Sequence, residues 1–294
     1  MTTDGAAADG VTTSARDGRA LVGVTGVTGH VGGLVAAELA GRGLPLVLLA
    51  RRPDAAPVIA GAPVRQVDYA DTAETRAALA GVDTLFMVSG AEAVDRVDHH
   101  KAFVDAAVSA GVGHVVYTSF QGAAPDCTFT LGRDHWATEE YLRASGLDHT
   151  FLRDSLYADF LPLMVQDGEL RGPAGEGRVA AVARADVAAV AAAVLSDPAR
   201  HVGASYEVTG PEALSLAEVA SLVSEVTGMP TRYVDESVPE AYASRARYGA
   251  PDWQVDAWVS TYTAIAAGEV ERVSDAVPRL TGRPATSLRQ LLTA

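Results

Sequence analysis

The sequence predicts a doubly wound α/β fold, an open parallel sheet with helices on both faces, followed by a smaller C-terminal α/β lobe. Short β-branched runs alternate with alanine-rich helical stretches from Leu21 onward. The runs are apolar almost throughout, as in strands buried on both faces. A glycine-rich turn joins the first strand to the first helix. The 294 residues, 48% hydrophobic and 20% charged, suffice for one large domain or for one domain with a small lobe.

Taken in order, strands are expected at Leu21 to Thr25, Leu46 to Ala50, Val64 to Asp68, Thr84 to Ser89, His114 to Ser119 and His149 to Arg153. Between them the spacing predicts helices over Val31 to Gly41, Thr72 to Ala80, Arg96 to Ala110 and Asp134 to Ser145, several stopped by a glycine. Residues 1–20 lack the basic start and apolar middle of a signal peptide and read as a disordered tail. Residues 21–155 form the expected core. In residues 156–294 a helix opens at Asp186, read as its N-cap, and a strand spans Tyr206 to Thr209. A helix over Ser215 to Thr227 stops at Gly228, a strand lies near Arg232 to Val234, and helical patterns follow at Glu240 to Tyr248, Gln254 to Ala267 and Thr286 to Leu292. This half is expected to form a substrate lobe over the carboxyl ends of the strands, with strands and helices returning to the core.

Composition narrows the function. A net charge of −14 repels nucleic acid phosphates and anionic lipid surfaces. The single cysteine, Cys127, excludes an internal disulfide and any multi-cysteine metal site, and fits a reducing cytoplasm. No apolar run reaches the ~18 residues of a membrane span, because Arg184 and Asp186 interrupt the best stretch, Val179 to Leu195. His99 and His100 read as an exposed pair outside any ligand spacing, so no metal is expected. Trp253, Trp258 and Tyr262 fall at helical spacing and read as packing, or as the lining of an aromatic pocket if their helix covers the cleft.

The loop Gly26, Val27, Thr28, Gly29, His30, Val31 stands between strand and helix, where glycine lets the backbone approach a pyrophosphate and the helix amino terminus offers free N–H groups. This is a Rossmann-type signature for a dinucleotide. An acidic residue after the second strand would suit the ribose of NAD, whereas arginine suits the 2′-phosphate of NADP. Arg51 and Arg52 stand there with no carboxylate between Ala50 and Pro53, so NADP(H) is the expected cofactor. Asp68, which could equally cap a helix, and Tyr69 fall beside the adenine, and Ser89 and Gly90 beside the adjacent ribose.

The TGVTGHVG loop, Arg51, VRQVDYAD at Val64 to Asp71, YTS at Tyr117 to Ser119, HxxTE at His135 to Glu139 and FLRDSLY at Phe151 to Tyr157 together resemble the NmrA-like atypical short-chain dehydrogenases/reductases. Within them the chain is most similar to the NAD(P)H-dependent quinone oxidoreductase type 2 group, from about Leu21 to Leu292. The resemblance implies an NADP-dependent fold with Asp154, Ser155 and Tyr157 bordering the nicotinamide and substrate. It also implies one of two functions, a reductase of quinones or other small electrophiles or a catalytically silent NADP sensor.

Ordinary short-chain dehydrogenases pair Tyr-x-x-x-Lys, the ammonium lowering the phenol pKa. Here the only lysine is Lys101, and Val97 stands four residues before it. Hydride transfer to a quinone demands less, because its product is a phenolate-like anion of pKa near ~10, and positioning is the main task. His135 is the best candidate donor, near the start of its helix, with Glu139 on the same face to orient the ring and keep it protonated. Thr138 shares that face, Ser119 closes strand five as a partner for the carboxamide or the substrate oxygen, and Phe120 walls the pocket. Tyr157 is the alternative, phenolic donor.

The expectation is therefore an NADPH-dependent reductase of a quinone or similar small conjugated electrophile, acting as a monomer or homodimer. The alternatives are an NADP(H)-sensing regulator and a tailoring reductase of a polycyclic ketone or enone.

Overall fold

The computed structural model describes residues 20–294, so the expected tail lies outside the described residues apart from Ala20. The chain runs through β1 (Val22–Val24), α1 (His30–Gly41), β2 (Leu46–Ala50), β3 (Val64–Gln66), α2 (Ala73–Leu79) and β4 (Thr84–Met87). It continues through α3 (Arg96–Ala110), β5 (His114–Phe120), α4 (Thr130–Ala144) and β6 (Asp148–Asp154). These strands, with β9 (Ser205–Val208), make one parallel sheet in the order β3-β2-β1-β4-β5-β6-β9. The order reverses between β1 and β4, the switch point that opens a crevice at the carboxyl ends of such strands.

Two apolar layers hold the sheet. On one face Val35 and Leu39 of α1 pack with Val190 and Val194 of α5 (Arg184–Ser196) against Leu48 and Val116. On the other, Leu79, Phe103 and Leu142 from α2, α3 and α4 cover Leu85, Val115 and Tyr117. The fully buried runs of β1, β2 and β4 are apolar but for Thr84 at the start of β4. The edge strand β3 is mostly exposed.

After β6 the chain leaves the sheet through a 3₁₀ segment, Ala158–Met164, then β7 (Glu169–Gly172) and β8 (Arg178–Val179). It returns with α5 and β9 and goes out again through β10 (Leu214–Ser215), α6 (Leu216–Thr227), β11 (Arg232–Asp235), α7 (Val238–Arg245) and α8 (Asp252–Ala266). The last elements are α9 (Ala276–Thr281) and α10 (Leu288–Thr293). β7 pairs with β11 in parallel and β8 with β10 antiparallel, each a two-stranded sheet of its own.

Two expectations are corrected. α4 starts at Thr130, so His135 lies in its second turn instead of near its start. α5 starts at Arg184, and Asp186 is not its N-cap. Instead the fully buried Asp186 carboxylate accepts the Thr286 N–H at 2.6 Å and meets Arg283 at 2.8 Å, tying the C-terminal segment to the core. That partner is a hundred residues away, which helix periodicity does not show.

Candidate functional site

The dinucleotide end is built by the β1–α1 turn. Gly26 has φ +64°, a left-handed conformation, and a Cβ there would lie 2.9 Å from Val88. Gly32 lets α1 close on the turn, since a Cβ would meet the Gly26 carbonyl oxygen at 2.4 Å. The α1 amino terminus has no side-chain cap at Gly29 and no acidic residue in its first turn. Its N–H groups and positive dipole end thus suit an anion. Val27 is buried beneath the turn while Thr28 and His30 are exposed beside it. Arg51 and Arg52 are exposed, and among the described residues neither guanidinium meets a carboxylate. Asp68 is exposed and its Oδ1 takes the Tyr69 N–H at 2.8 Å.

Tyr69 is tied down rather than free. Its ring stacks on Phe103 at 4.3 Å, and its hydroxyl donates to the Val88 carbonyl and lies 2.9 Å from Thr25 Oγ1. Only its outer edge is left for a ligand. The Ser89 N–H is taken by Thr118 Oγ1 at 2.7 Å and the Gly90 N–H by His100 Nε2 at 2.8 Å, which sets the turn after β4.

That second contact corrects the expected exposed histidine pair. His99 is exposed and 3.4 Å from Asp95, whereas His100 is fully buried. Burial, then Arg96 and His99, push the His100 pKa down to about 3. With Nε2 accepting from Gly90, the ring proton sits on Nδ1 and faces Thr138 Oγ1 at 2.8 Å.

His135 follows the same logic. Arg96 Nη2 lies 3.1 Å from His135 Nε2, and guanidinium only donates, so Nε2 is bare. The ring proton is on Nδ1, 3.0 Å from the Tyr117 hydroxyl. Burial first, then Arg96 and His100, hold the pKa of His135 well below its ordinary value. The expected protonated ring oriented by Glu139 is therefore overturned. Glu139 instead accepts from Ser119 Oγ at 2.6 Å and from Arg153 at 2.8 and 2.6 Å, with Arg143 at 3.0 Å. Four-residue spacing puts both side chains on one face, but Arg153, on the neighbouring strand β6, outbids the imidazole for the carboxylate. Ser119 spends its proton on the same group and keeps only lone pairs for a ligand.

Arg96 was not foreseen. It is 4% exposed, and it also donates to the Gly90 carbonyl at 3.1 Å and lies 3.5 Å from Asp134. A lone arginine at a helix start carries no sequence mark of such a role.

At the end of β6 the picture is different. Asp154 and Ser155 are buried, and Asp154 Oδ1 and Ser155 Oγ have no hydrogen-bond partner. Asp154 Oδ2 accepts from the Tyr157 hydroxyl at 3.2 Å. Burial raises the Asp154 carboxyl well above the usual range, and burial followed by Asp154 does the same for the Tyr157 phenol. Tyr157 borders a cleft of 940 Å³ whose walls include Phe129, Phe160, Trp258 and Tyr262. Arg247 Nη2 donates to Gln166 Oε1 at 2.7 Å and to the Tyr248 hydroxyl at 2.9 Å across it. Trp258 and Tyr262 thus take the second of the two expected roles, and Trp253 is not in the wall. His135 and Ser119 are not in it either.

A family model described as NAD(P)H-binding matches residues 26–198. The chain is 35% identical over 278 residues to the NAD(P)H azoreductase of Xenophilus azovorans, covering 92% of this chain and 96% of that one. It is 36% identical over 273 residues to a (4-alkanoyl-5-oxo-2,5-dihydrofuran-3-yl)methyl phosphate reductase of Streptomyces griseus, covering 90% and 94%. Among solved structures, the NADPH complex of the NADPH-dependent quinone oxidoreductase of Escherichia coli superposes with TM-score 0.85 at 32% identity, covering 92% and 98%. The chain belongs to the NAD(P)H-binding family of NmrA-like oxidoreductases.

In this oxidoreductase the residues present fit the cofactor. An uncapped helix terminus suits phosphate, arginines without a carboxylate partner among the described residues stand at one end, and unpartnered buried acceptor atoms stand at the other. Among the described residues no helix is long and apolar enough to cross a membrane.

Proposed function

We propose that the protein reduces quinone-like conjugated acceptors with NADPH, the acceptor lying in the cleft beside Tyr157. Gly26 to Val31 would hold the pyrophosphate, Arg51 with Arg52 the 2′-phosphate, Asp68, Tyr69, Ser89 and Gly90 the adenosine half, and Asp154 with Ser155 the nicotinamide end. The bound cofactor supplies a hydride. The observation that carries the reading is the cleft itself, a large aromatic-walled cavity with the Tyr157 phenol set into its wall beside unpartnered polar atoms at the end of β6.

The chain's own part is orientation and proton supply. Stacking on Trp258, Tyr262 and Phe129 aligns a planar acceptor and excludes water. Two electrons arrive with the hydride and one proton joins an acceptor oxygen, so a quinone leaves as a hydroquinone. Tyr157 is the donor. His135 is neutral, its one N–H faces Tyr117, and it serves with Arg96 to brace α3 and α4 behind the sheet. The azo and furanone-phosphate acceptors named for two relatives are conjugated electrophiles as well, which supports the acceptor class.

The test is NADPH oxidation with naphthoquinones, enones and azo compounds, on the native protein and on Tyr157→Phe. Turnover that falls roughly a hundredfold in the variant, with KM little changed, is expected. NADPH binding without turnover of any acceptor would sink the reading in favour of a sensor.

A further inference from the structure

Four carboxyl groups among the described residues are buried: Glu139, Asp154, Asp186 and Glu236. Three hold arginine. Glu139 has Arg153 at 2.6 Å and Arg143 at 3.0 Å, Asp186 has Arg283 at 2.8 Å, and Glu236 has Arg245 at 3.0 Å and Arg171 at 3.1 Å. Asp154 holds no cation. Its one side-chain contact is the Tyr157 hydroxyl at 3.2 Å, and its second oxygen meets nothing. A buried carboxyl with neither cation nor full hydrogen bonding costs several kcal/mol to ionise, so its stable form carries a proton.

The position of this acid is what gives it a use. It is the last residue of β6, 2% exposed, directly behind the phenol that borders the acceptor cleft. The other charges facing Tyr157 are Arg184, whose guanidinium lies 5.1 Å from the ring centroid, and Asp159, which accepts the Arg184 backbone N–H at 2.8 Å. Among the described residues no carboxylate pairs with the Arg184 side chain, so its charge faces the pair.

We infer that Asp154 is the proton reservoir of the site and that Asp154 and Tyr157 form a two-member relay opening into the cleft. The chemistry rests on the reductase reading, whereas the resting protonation of Asp154 does not. The Tyr157 hydroxyl, which rests on Asp154 Oδ2, turns to the acceptor oxygen, and its O–H bond breaks as that oxygen gains the proton. The Asp154 O–H bond breaks as the phenol oxygen is recharged. Arg184 steadies the negative charge left on the pair, and water returns a proton to Asp154 after product leaves. The raised carboxyl and phenol, both driven by burial first, agree with this order of proton holding. Asp154 does not touch the acceptor and reaches it only through Tyr157.

Infrared difference spectroscopy of the native protein against Asp154→Asn at neutral pH reads the resting state directly. A protonated-carboxyl C=O band that is lost in Asp154→Asn and shifted in Tyr157→Phe is expected. Its absence from the native protein overturns the inference, whether or not any acceptor is reduced. Because the Tyr157→Phe shift assigns the band independently, a misfolded Asp154→Asn would not remove the test.

With a naphthoquinone as acceptor, Asp154→Asn should lower kcat roughly tenfold to a hundredfold with little change in KM. The pH profile should lose the limb at which the native protein's pair empties. The double variant with Tyr157→Phe should be no slower than Tyr157→Phe alone, as members of one unit are not additive. Full activity and an unchanged profile in Asp154→Asn would overturn the relay. If the band is present and no acceptor turns over, the reductase reading fails with the relay, and the protonated Asp154 remains.

Discussion

The β1–α1 turn and the cleft beside Tyr157 are built on opposite plans. The first is local: Gly26, Gly29 and Gly32 share one turn, and the strands that follow are apolar runs read straight from the chain. The second is assembled from distant segments, with Gln166 on Arg247 across 81 residues and Arg171 on Glu236 across 65. Local construction makes a site insensitive to the rest of the molecule. Distant construction lets the walls change while the sheet stays, and relatives that share the cofactor fold carry names of different acceptors.

The sharpest way to break that contrast is to remove the buried carboxylate that ties β5, α4 and β6 together. Glu139→Ala leaves Arg153 with only the Glu207 carboxylate at 3.5 Å, Arg143 with only that of the exposed Glu140, and Ser119 unpaired. Losing one member of a buried ion pair costs 3–5 kcal/mol at full burial. Both arginines retain some solvent, so about 3 kcal/mol is expected in urea unfolding. An effect below about 1 kcal/mol would mean that the cluster contributes nothing to the sheet.

Acid should act on the same half. His100 titrates near 6.5 in the unfolded chain and at about 3 in the fold. Between those values the unfolded state binds a proton that the folded state refuses, so stability is full above pH ~6.5 and falls as pH drops toward ~3. At pH 5 the loss from this one group is about 2 kcal/mol. His135 adds in the same direction. His100→Gln keeps an acceptor for the Gly90 N–H and should flatten that slope, a change measurable as urea midpoints at pH 7 and pH 5. An unaltered slope would place the acid sensitivity elsewhere.

How much of this was legible follows the same division. The glycine loop and the sheet depend on neighbours in sequence, and periodicity finds them; Thr72 and Ser215, read as the first residues of their helices, are the caps. The role of Glu139 was misread because helix spacing shows which side chains share a face, not which strand lies opposite. Arg96 escaped because its partners, Gly90, Asp134 and His135, lie on other elements. The two-residue strands β8 and β10 are too short to carry a period. Gln166 and Arg247 had no mark at all, since only the fold brings their segments, 81 residues apart, together.

A smaller effect is expected at the adenosine end. Arg51→Ala removes one exposed cation, and with Arg52 still beside it the loss in NADPH affinity should be about tenfold, with NADH affinity unaffected. Isothermal titration with both cofactors reads the ratio. A parallel loss for NADH would make Arg51 a general anion contact and not the group that selects the 2′-phosphate.

The smallest effect belongs to Trp258, and its smallness is the point. Its indole is half-buried on α8, edge-on to Tyr248 with centroids 5.9 Å apart, in the cleft wall. The satellite cluster it packs against, Ala241, Val255 and Val259, is separate from the layers that hold the sheet. Trp258→Leu should therefore leave NADPH binding intact and change stability by about 1 kcal/mol or less. What it removes is a stacking surface, so KM for a naphthoquinone should rise a few-fold, about 1 kcal/mol of aromatic contact, while kcat holds. A fall in kcat at constant KM would show that the wall also sets the angle of the acceptor to the hydride, and that the cleft is less independent of the cofactor half than its construction implies.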